Sequence, residues 1–280
     1  MPASKPPKIG IALGGGAARG IIHIGVLEVL EKEGIPLDLV TGTSMGAIIG
    51  ALYASGHTPP EMKEIVSNLS WKQLMPLLDL AAPRAGFLSS RKIKDYLKGL
   101  IGDVTFAELR KPFACVAADV KTGQEVLFRE GPVIDGVIAS MSLPIIFRPV
   151  KNKNRFLVDG GLITPIPAQI VRDMGADFVI AVNAIYHHDY IKPDKDSAPS
   201  IFDTAFQIVN IMSIHMAKEN LQAADIAIEP DLSGIGPGDF LKAPEIVLRG
   251  ELSATDAIPN LKHLLLQKYS YTPPYLGSPL

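Results

Sequence analysis

The stretch that most strongly suggests chemistry is GTSMG, residues 42–46, in which Ser44 stands between two glycines. A serine hydroxyl is a weak nucleophile until a neighbouring base removes its proton. A sharp turn from a strand into a helix would expose this oxygen beside the positive end of the helix, where a developing oxyanion is stabilised. An ordinary tight turn uses the same small residues, so the motif alone leaves both interpretations open.

A second glycine-rich stretch, GGGAARG at residues 14–20, invites comparison with phosphate-binding loops. It lacks the Gly-Lys-Ser/Thr end of a Walker A loop, and Gly14, Gly16 and Gly20 are spaced one residue too widely for a dinucleotide fingerprint. The downstream lysine and aspartate motifs of a kinase are not found either. Two interpretations remain: a generic phosphate site at a helix start, or an oxyanion hole built from unobstructed backbone N–H groups.

Two kinds of side chain could act as the base for Ser44. A triad in the α/β-hydrolase order would place its histidine after the acid, and the residues that meet this condition are His187, His188, His215 and His263. None of them follows a sharp strand end. Asp159 does, because it ends the apolar run RFLV and precedes two glycines. Such a carboxylate would face a ligand crevice, although an Asp-Gly turn explains this pair equally well when it is taken alone.

Arg19 lies near the start of a predicted helix, where a cation is mildly unfavourable, so it indicates a nearby anion. A structural carboxylate is the favoured partner over a substrate group. His23, one turn into the same helix, is interpreted as a packing or helix-anchoring residue. Cys115, the single cysteine, lies in an apolar run and is interpreted as a buried hydrophobic residue, and it excludes an internal disulfide. No group of His, Cys, Asp or Glu has metal-ligand spacing, so we predict neither a metal nor another cofactor.

The composition is that of a globular protein. The chain has 280 residues, of which 47% are hydrophobic, and its formal net charge of −2 provides no electrostatic footprint for nucleic acid. It has neither an uninterrupted apolar run of about 20 residues nor a secretory signal. We therefore expect a cytoplasmic protein, with peripheral membrane contact left open.

The pattern of elements predicts an α/β fold. Short, unalternating apolar strands are separated by helical stretches, which is typical of a three-layer sandwich with a mostly parallel central sheet. The runs on either side of Lys121-Thr122-Gly123 predict a hairpin. We predict a single domain over residues 1–280, with a core at about 8–185 and a C-terminal helical or cap region at about 186–280.

Two apolar stretches, residues 71–88 and 206–216, could line an apolar channel for a ligand. Met212 and Met216 are adaptable side chains that suit a variable ligand. We predict that at least one of the two stretches borders the Ser44 crevice as a movable cap. The alternative is that both simply cover the sheet, because a buried helix has the same composition.

GGGAARG, GTSMG and the DGG at residues 159–161, in this order, resemble the motifs of the patatin-like phospholipases, bacterial branch. The glycine stretch has one alanine more than the family pattern, and the likeness extends over residues 8 to about 185. The resemblance implies a patatin-like α/β fold with a Ser–Asp dyad and no histidine. Ser44 would be the nucleophile, Asp159 the base and Arg19 a supporting residue, with the backbone of Gly15, Gly16 and Ala17 as the oxyanion hole.

The same resemblance implies acyl-ester hydrolysis of phospholipid, lysophospholipid or neutral lipid, without a metal. We therefore expect a serine acyl hydrolase of the lipase, phospholipase A, lysophospholipase or esterase type, with a lipid or ester as its substrate. The alternative is a regulatory or scaffold protein of the same fold whose esterase activity is weak or incidental. The resemblance does not predict the head group, the chain length or the oligomeric state.

Overall fold

The computed structural model describes residues 6–68, 90–144, 146–185, 201–271 and 273. Its strands are β1 (Ile9–Leu13), β2 (Leu39–Thr43), β3 (Phe113–Asp119), β4 (Glu125–Phe128), β5 (Val150–Asn152), β6 (Arg155–Asp159), β7 (Phe178–Val182) and β8 (Ile226–Ile228). Its α-helices are α1 (Ile22–Lys32), α2 (Met45–Ser55), α3 (Pro59–Ser67), α4 (Ser90–Ile101), α5 (Val133–Ser140), α6 (Ala168–Asp173), α7 (Ile201–Leu221) and α8 (Ala243–Tyr269).

The strands of the described residues form one mixed sheet in the order β5-β6-β3-β2-β1-β7-β8, with β4 also paired to β3. Strands β1, β2, β3, β7 and β8 pair in parallel, whereas β4, β5 and β6 join antiparallel. The hairpin predicted around Lys121-Thr122-Gly123 is the β3–β4 pair. The predicted α/β fold with a mostly parallel sheet is confirmed.

Alternate residues of the central strands face two separate hydrophobic clusters. Ile9, Ile11 and Leu13 of β1 pack in the cluster that contains buried residues of α1, α2 and α8. Ala12 of β1 packs in a second cluster, with buried residues of α6 and α7. Because successive side chains of a strand point to opposite faces, the sheet is covered on both sides, which is the predicted three-layer arrangement.

Strand β2 runs from Leu39 through Thr43 and leads directly into the serine turn. Helix α5 was not predicted, because nearly all of its residues are buried and no polar face marks a helical period. The predicted cap stretch 71–88 lies outside the described residues, and the single-domain boundaries stay a prediction.

None of the helices that the structure describes is both long enough and apolar enough to cross a bilayer.

Candidate active site

Ser44 lies on a strained turn between β2 and α2. Its backbone has φ 56° and ψ −119°, a conformation that residues other than glycine rarely adopt. The backbone at Ser44 is therefore strained. A Cβ atom added to Gly42 would lie 2.3 Å from the carbonyl oxygen of Gly46, and one added to Gly46 would lie 2.1 Å from that of Leu13. The two glycines of GTSMG are thus required by close backbone approach, and together they expose Ser44 at the start of the helix.

The register of the sheet brings Asp159 beside Ser44. In β3, Val116 lies opposite Thr43 of β2, and the next residue, Ala117, lies opposite Asp159 of β6. Ser44 directly follows Thr43, so both side chains reach the same edge of the sheet. Strand β6 is antiparallel to β3, and Asp159 is its last residue.

The Ser44 hydroxyl donates a 2.5 Å hydrogen bond from Oγ to Oδ2 of Asp159. The other carboxylate oxygen, Oδ1, accepts the Gly161 N–H at 2.7 Å, and the Asp159 residue is only 3% exposed. Burial raises the pKa of Asp159 to about 6, against the lowering effect of the two hydrogen bonds. The carboxylate is therefore ionised at neutral pH with a proton affinity suited to general-base catalysis.

A short segment at the end of α5 holds both members of this pair. The Ser44 N–H donates to Oγ of Ser140 at 3.0 Å, and the Asp159 N–H donates to the carbonyl oxygen of Ser142 at 2.9 Å. Ser140 and Ser142 are buried, and the Ser142 hydroxyl donates to the Ile138 carbonyl. Neither serine was predicted to have a role, yet the two fix the main chain on both sides of the Ser44–Asp159 hydrogen bond.

The glycine-rich loop offers fewer backbone N–H donors for an oxyanion than the sequence predicted. The Gly15 N–H donates to the carbonyl oxygen of Pro165 at 2.9 Å, so it is not available to a ligand, and Gly15 must be removed from the expected donors. Gly16 and Ala17 also line the crevice at Ser44. Their N–H groups have no acceptor within the described part of the chain, which leaves them as the candidate donors.

The buried side chain of His23 is hydrogen-bonded to the same glycine-rich loop. Its Nε2 lies 2.8 Å from the Gly14 carbonyl oxygen, and its side chain is fully buried. Burial lowers the pKa of His23 to about 4, so the ring is neutral at physiological pH and Nε2–H is the donor to Gly14. This agrees with the helix-anchoring role expected for His23.

Arg19 ties the glycine-rich loop to the chain after β8. Its Nε donates to the Ile235 carbonyl at 2.7 Å, and the neighbouring Ala18 N–H donates to the Pro237 carbonyl at 3.1 Å. Hydrogen bonds from Lys242 and Gly236 lower the pKa of the Asp239 carboxyl group, and the charge of Arg19 nearby adds a smaller lowering effect. Arg19 is 3% exposed, which favours the expected structural pairing with a carboxylate.

A crevice of about 90 Å³ opens above the Ser44–Asp159 pair. Apolar side chains contribute much of its wall, and Val209, Asn210 and Ser213 of α7 form one side. Ser213 also donates a 3.1 Å hydrogen bond to the carbonyl oxygen of Gly161, which fastens α7 to the turn after Asp159. The stretch 206–216 therefore borders the crevice, as predicted for one of the two apolar stretches.

Met212 and Met216, the two side chains selected within that stretch, do not line the crevice, and Met212 is 48% exposed. Ile211 does not line it either and is 46% exposed. No histidine is among the described residues that line the crevice, and His215 and His263 are exposed. His187 and His188 lie outside the described residues. No group of metal-ligating side chains occurs in the described part of the chain.

Comparison with known proteins places these features in a family context. The family model described as patatin-like phospholipase matches residues 11–172, which is more than half of the chain. A protein of Mycobacterium tuberculosis described as an uncharacterized NTE family protein is 33% identical over 198 residues, which cover 71% of this chain and 54% of the relative. Human patatin-like phospholipase domain-containing protein 6 is 36% identical over 182 residues, which cover 62% of this chain and 13% of the relative.

Among solved structures, VipD from Legionella pneumophila matches with a TM-score of 0.62 and 14% sequence identity, covering 92% of this chain and 68% of VipD. At this identity the likeness shows the shared fold alone. The chain spans about half the length of the mycobacterial relative, so the activity of whole relatives does not transfer directly.

Proposed function

The chain belongs to the patatin-like phospholipase family, and on that premise we propose that it is a serine acyl hydrolase that cleaves lipid esters with a Ser44–Asp159 dyad. The observation that carries the proposal is the 2.5 Å hydrogen bond from the Ser44 hydroxyl to a buried carboxylate whose pKa is raised to about 6. A base of this proton affinity, in contact with a serine on a strained turn, is the arrangement that activates a hydroxyl nucleophile.

In the first half of the proposed reaction, Asp159 accepts the Ser44 proton while Oγ attacks the ester carbonyl carbon. The carbonyl π electrons move to oxygen, and the resulting oxyanion accepts hydrogen bonds from the N–H groups of Gly16 and Ala17. Loss of one such donor typically costs about 2.7–4 kcal/mol of transition-state stabilisation. The tetrahedral intermediate then collapses, and the departing alkoxide takes the proton from Asp159. An acyl group remains on Ser44.

In the second half, a water molecule replaces the alcohol. Asp159 accepts a proton from this water as its oxygen attacks the acyl carbonyl carbon, and the same two N–H groups stabilise the second oxyanion. The bond from the acyl carbon to Oγ breaks, and Oγ recovers the proton from Asp159. The products are a fatty acid and the free Ser44 hydroxyl, so the enzyme returns to its starting state.

The hydrogen bonds from Ser44 N–H to Ser140 Oγ and from Asp159 N–H to the Ser142 carbonyl oxygen support this mechanism, because they hold the backbone of both proposed catalytic residues in place. A misplacement of reacting groups by about 1 Å can reduce the rate about a hundredfold. The mechanism needs side chains and backbone groups of this chain alone. We therefore propose that the reaction requires neither a metal nor another cofactor.

The proposed substrate is a lipid ester met at a membrane surface. A crevice of about 90 Å³ is smaller than the roughly 300–1,000 Å³ that ligand pockets usually have, so a long acyl chain requires α7 to move outward. The exposed apolar residues Ile208, Ile211 and Met212 lie on this same helix. Peripheral contact of α7 with a bilayer would bring the crevice to its substrate and is part of the proposal.

The test is a hydrolysis screen with the purified chain. Phospholipid, lysophospholipid, acylglycerol and short p-nitrophenyl esters are each offered to the wild type and to Ser44→Ala, which serves as the blank. We expect hydrolysis of at least one lipid class that disappears in the variant. Turnover that is equal in both proteins would refute the proposal, and an absence of turnover on every ester would favour the alternative of a regulatory or scaffold protein.

A further inference from the structure

A second concave region shares no lining residue with the active-site crevice. It is a cleft of about 650 Å³ between α4, α5 and the chain segment that contains β5. We call it the basic cleft, because five of its lining residues carry a cationic side chain. These are Arg91, Lys94, Arg148, Lys151 and Lys153.

The charge of the basic cleft departs from that of the whole chain. The chain has 27 Lys and Arg against 29 Asp and Glu, yet Asp135 is the single acidic residue among the described residues that line this cleft. Lys94 forms an ion pair with it, at 2.7 Å between Nζ and Oδ1. Walls that carry one sign of charge focus the electric field inside a cleft and raise the local concentration of an ion of opposite sign.

The types and placement of these cations favour phosphate. The arginine guanidinium matches the geometry of a phosphate group with paired hydrogen bonds, and lysine adds point charges that rotate to meet further oxygens. The cations come from separate elements, with Arg91 on α4 and Lys151 on β5. The cleft volume lies within the range of pockets that hold a small molecule.

We propose that the basic cleft binds the phosphate groups of a ligand that carries more than one of them. A soluble polyphosphate and the two phosphates of a cardiolipin headgroup share this chemistry. The proposal does not depend on the proposed hydrolase activity, because it concerns binding alone. Helix α5 and the β5–β6 hairpin nevertheless join the two regions, since α5 ends at Ser140 and β6 ends at Asp159.

The test compares two variants that change the charge equally. Lys151→Glu/Lys153→Glu alters the cleft, and Lys8→Glu/Lys218→Glu alters exposed lysines that do not line it. Circular dichroism of each variant establishes that it is folded. Titration calorimetry measures binding of tripolyphosphate, with citrate as a multivalent carboxylate anion for comparison. Co-sedimentation measures binding to phosphatidylcholine vesicles with and without cardiolipin.

We expect the wild type to bind tripolyphosphate, cardiolipin vesicles or both, and to prefer tripolyphosphate to citrate. The cleft variant should bind at least about 30-fold more weakly, since each surface cation contributes roughly a factor of five toward an anionic surface. Binding of tripolyphosphate indicates a soluble ligand, whereas binding of vesicles alone indicates a headgroup. Three results would each overturn the proposal: no binding of either probe, equal binding of citrate, or equal weakening in the two variants.

Discussion

The hydroxyl oxygen of Ser140 accepts the backbone N–H of Ser44 at 3.0 Å, from a position 96 residues further along the chain. The strained turn thereby gains a partner for an N–H group that neither β2 nor α2 satisfies. Two residues later, the Ser142 carbonyl accepts the N–H of Asp159. One short segment therefore contacts the main chain of both the proposed nucleophile and its proposed base.

We predict that Ser140→Ala lowers kcat and leaves KM nearly unchanged, because the main chain at Ser44 loses its anchor while the crevice keeps its walls. The loss should be about tenfold or more, the equivalent of one unsatisfied polar group at about 1–3 kcal/mol. Ser142→Ala is the matched control, since its carbonyl still accepts the Asp159 N–H. The measurement is kcat and KM of both variants and the wild type on one ester. An equal loss of kcat in Ser140→Ala and Ser142→Ala would show that the Ser140 hydroxyl has no special role.

The pKa of about 6 for Asp159 predicts the pH dependence of the reaction. The carboxylate must be ionised to accept the Ser44 proton, so kcat/KM should rise with pH, reach half of its maximum near pH 6 and stay level above it. Below that point it should fall about tenfold for each pH unit. A profile of kcat/KM from pH 4.5 to pH 8 gives the answer. A rise centred near pH 4, the ordinary range of an aspartate, would contradict the raised pKa.

The same shift predicts an effect on stability. The pKa of Asp159 rises from the ordinary aspartate value of 3.8 in the unfolded chain to about 6 in the folded protein, so its favourable contribution is complete below pH 3.8 and is lost as pH rises through 6. Asp159→Asn removes this titration while an amide can still hydrogen bond to both partners. We expect the variant to gain about 2.5 kcal/mol relative to the wild type as the pH rises from 4 to 8, because the unfolded carboxyl group is already about half ionised at pH 4.

Urea unfolding of both proteins at each pH measures this difference. Burial lowers the pKa of His23, which destabilises the fold as pH falls from 6.5 toward 4, but this effect is common to both proteins and cancels. A difference in unfolding free energy that is the same at pH 4 and pH 8 would mean that the Asp159 pKa is not raised in the folded state.

Two residues of helix α7, one that lines the crevice and one that does not, provide a test of the proposed cap and its control. Val209 lines the crevice, whereas Ile211, two residues further on, is 46% exposed. Val209→Gln should reduce hydrolysis of long-chain esters more than that of short-chain esters, because it places a polar group where an acyl chain would pass. Ile211→Gln should leave the ratio of the two rates unchanged when the esters are offered without a bilayer, because Ile211 does not line the crevice. Equal losses on both chain lengths in Val209→Gln would mean that this wall does not contact the acyl chain.

The residues of the proposed dyad could be selected from the sequence because their motifs dictate local backbone. The glycines of GTSMG are required by close approach to Gly46 and Leu13, and the sequence shows them directly. Ser140 gave no such signal, since a single serine in the buried helix α5 has no distinguishing pattern. The contacts of the glycine-rich loop with Pro165 and Pro237 were equally hidden, because they involve carbonyl oxygens that every residue carries.

The error at Gly15 has the same origin. A run of three glycines shows that side chains are absent, but it does not show which N–H groups the surrounding chain already occupies. Likewise, the composition of residues 206–216 indicated an apolar helix at the crevice, yet it did not show which side of that helix faces inward. Ser213 lies on the inward side, where its hydroxyl oxygen is 3.1 Å from the Gly161 carbonyl oxygen and 2.9 Å from the Val209 carbonyl oxygen of its own helix.

The most direct test of the proposed dyad is covalent labelling of Ser44 with a fluorophosphonate, followed by mass spectrometry of the labelled peptide. The dyad predicts a single adduct on Ser44 in the wild type and no adduct in Ser44→Ala. It also predicts that labelling of Asp159→Asn is slower by roughly 10²–10⁴, the usual contribution of a general base. An adduct on another serine, or labelling of Asp159→Asn at the wild-type rate, would contradict the dyad.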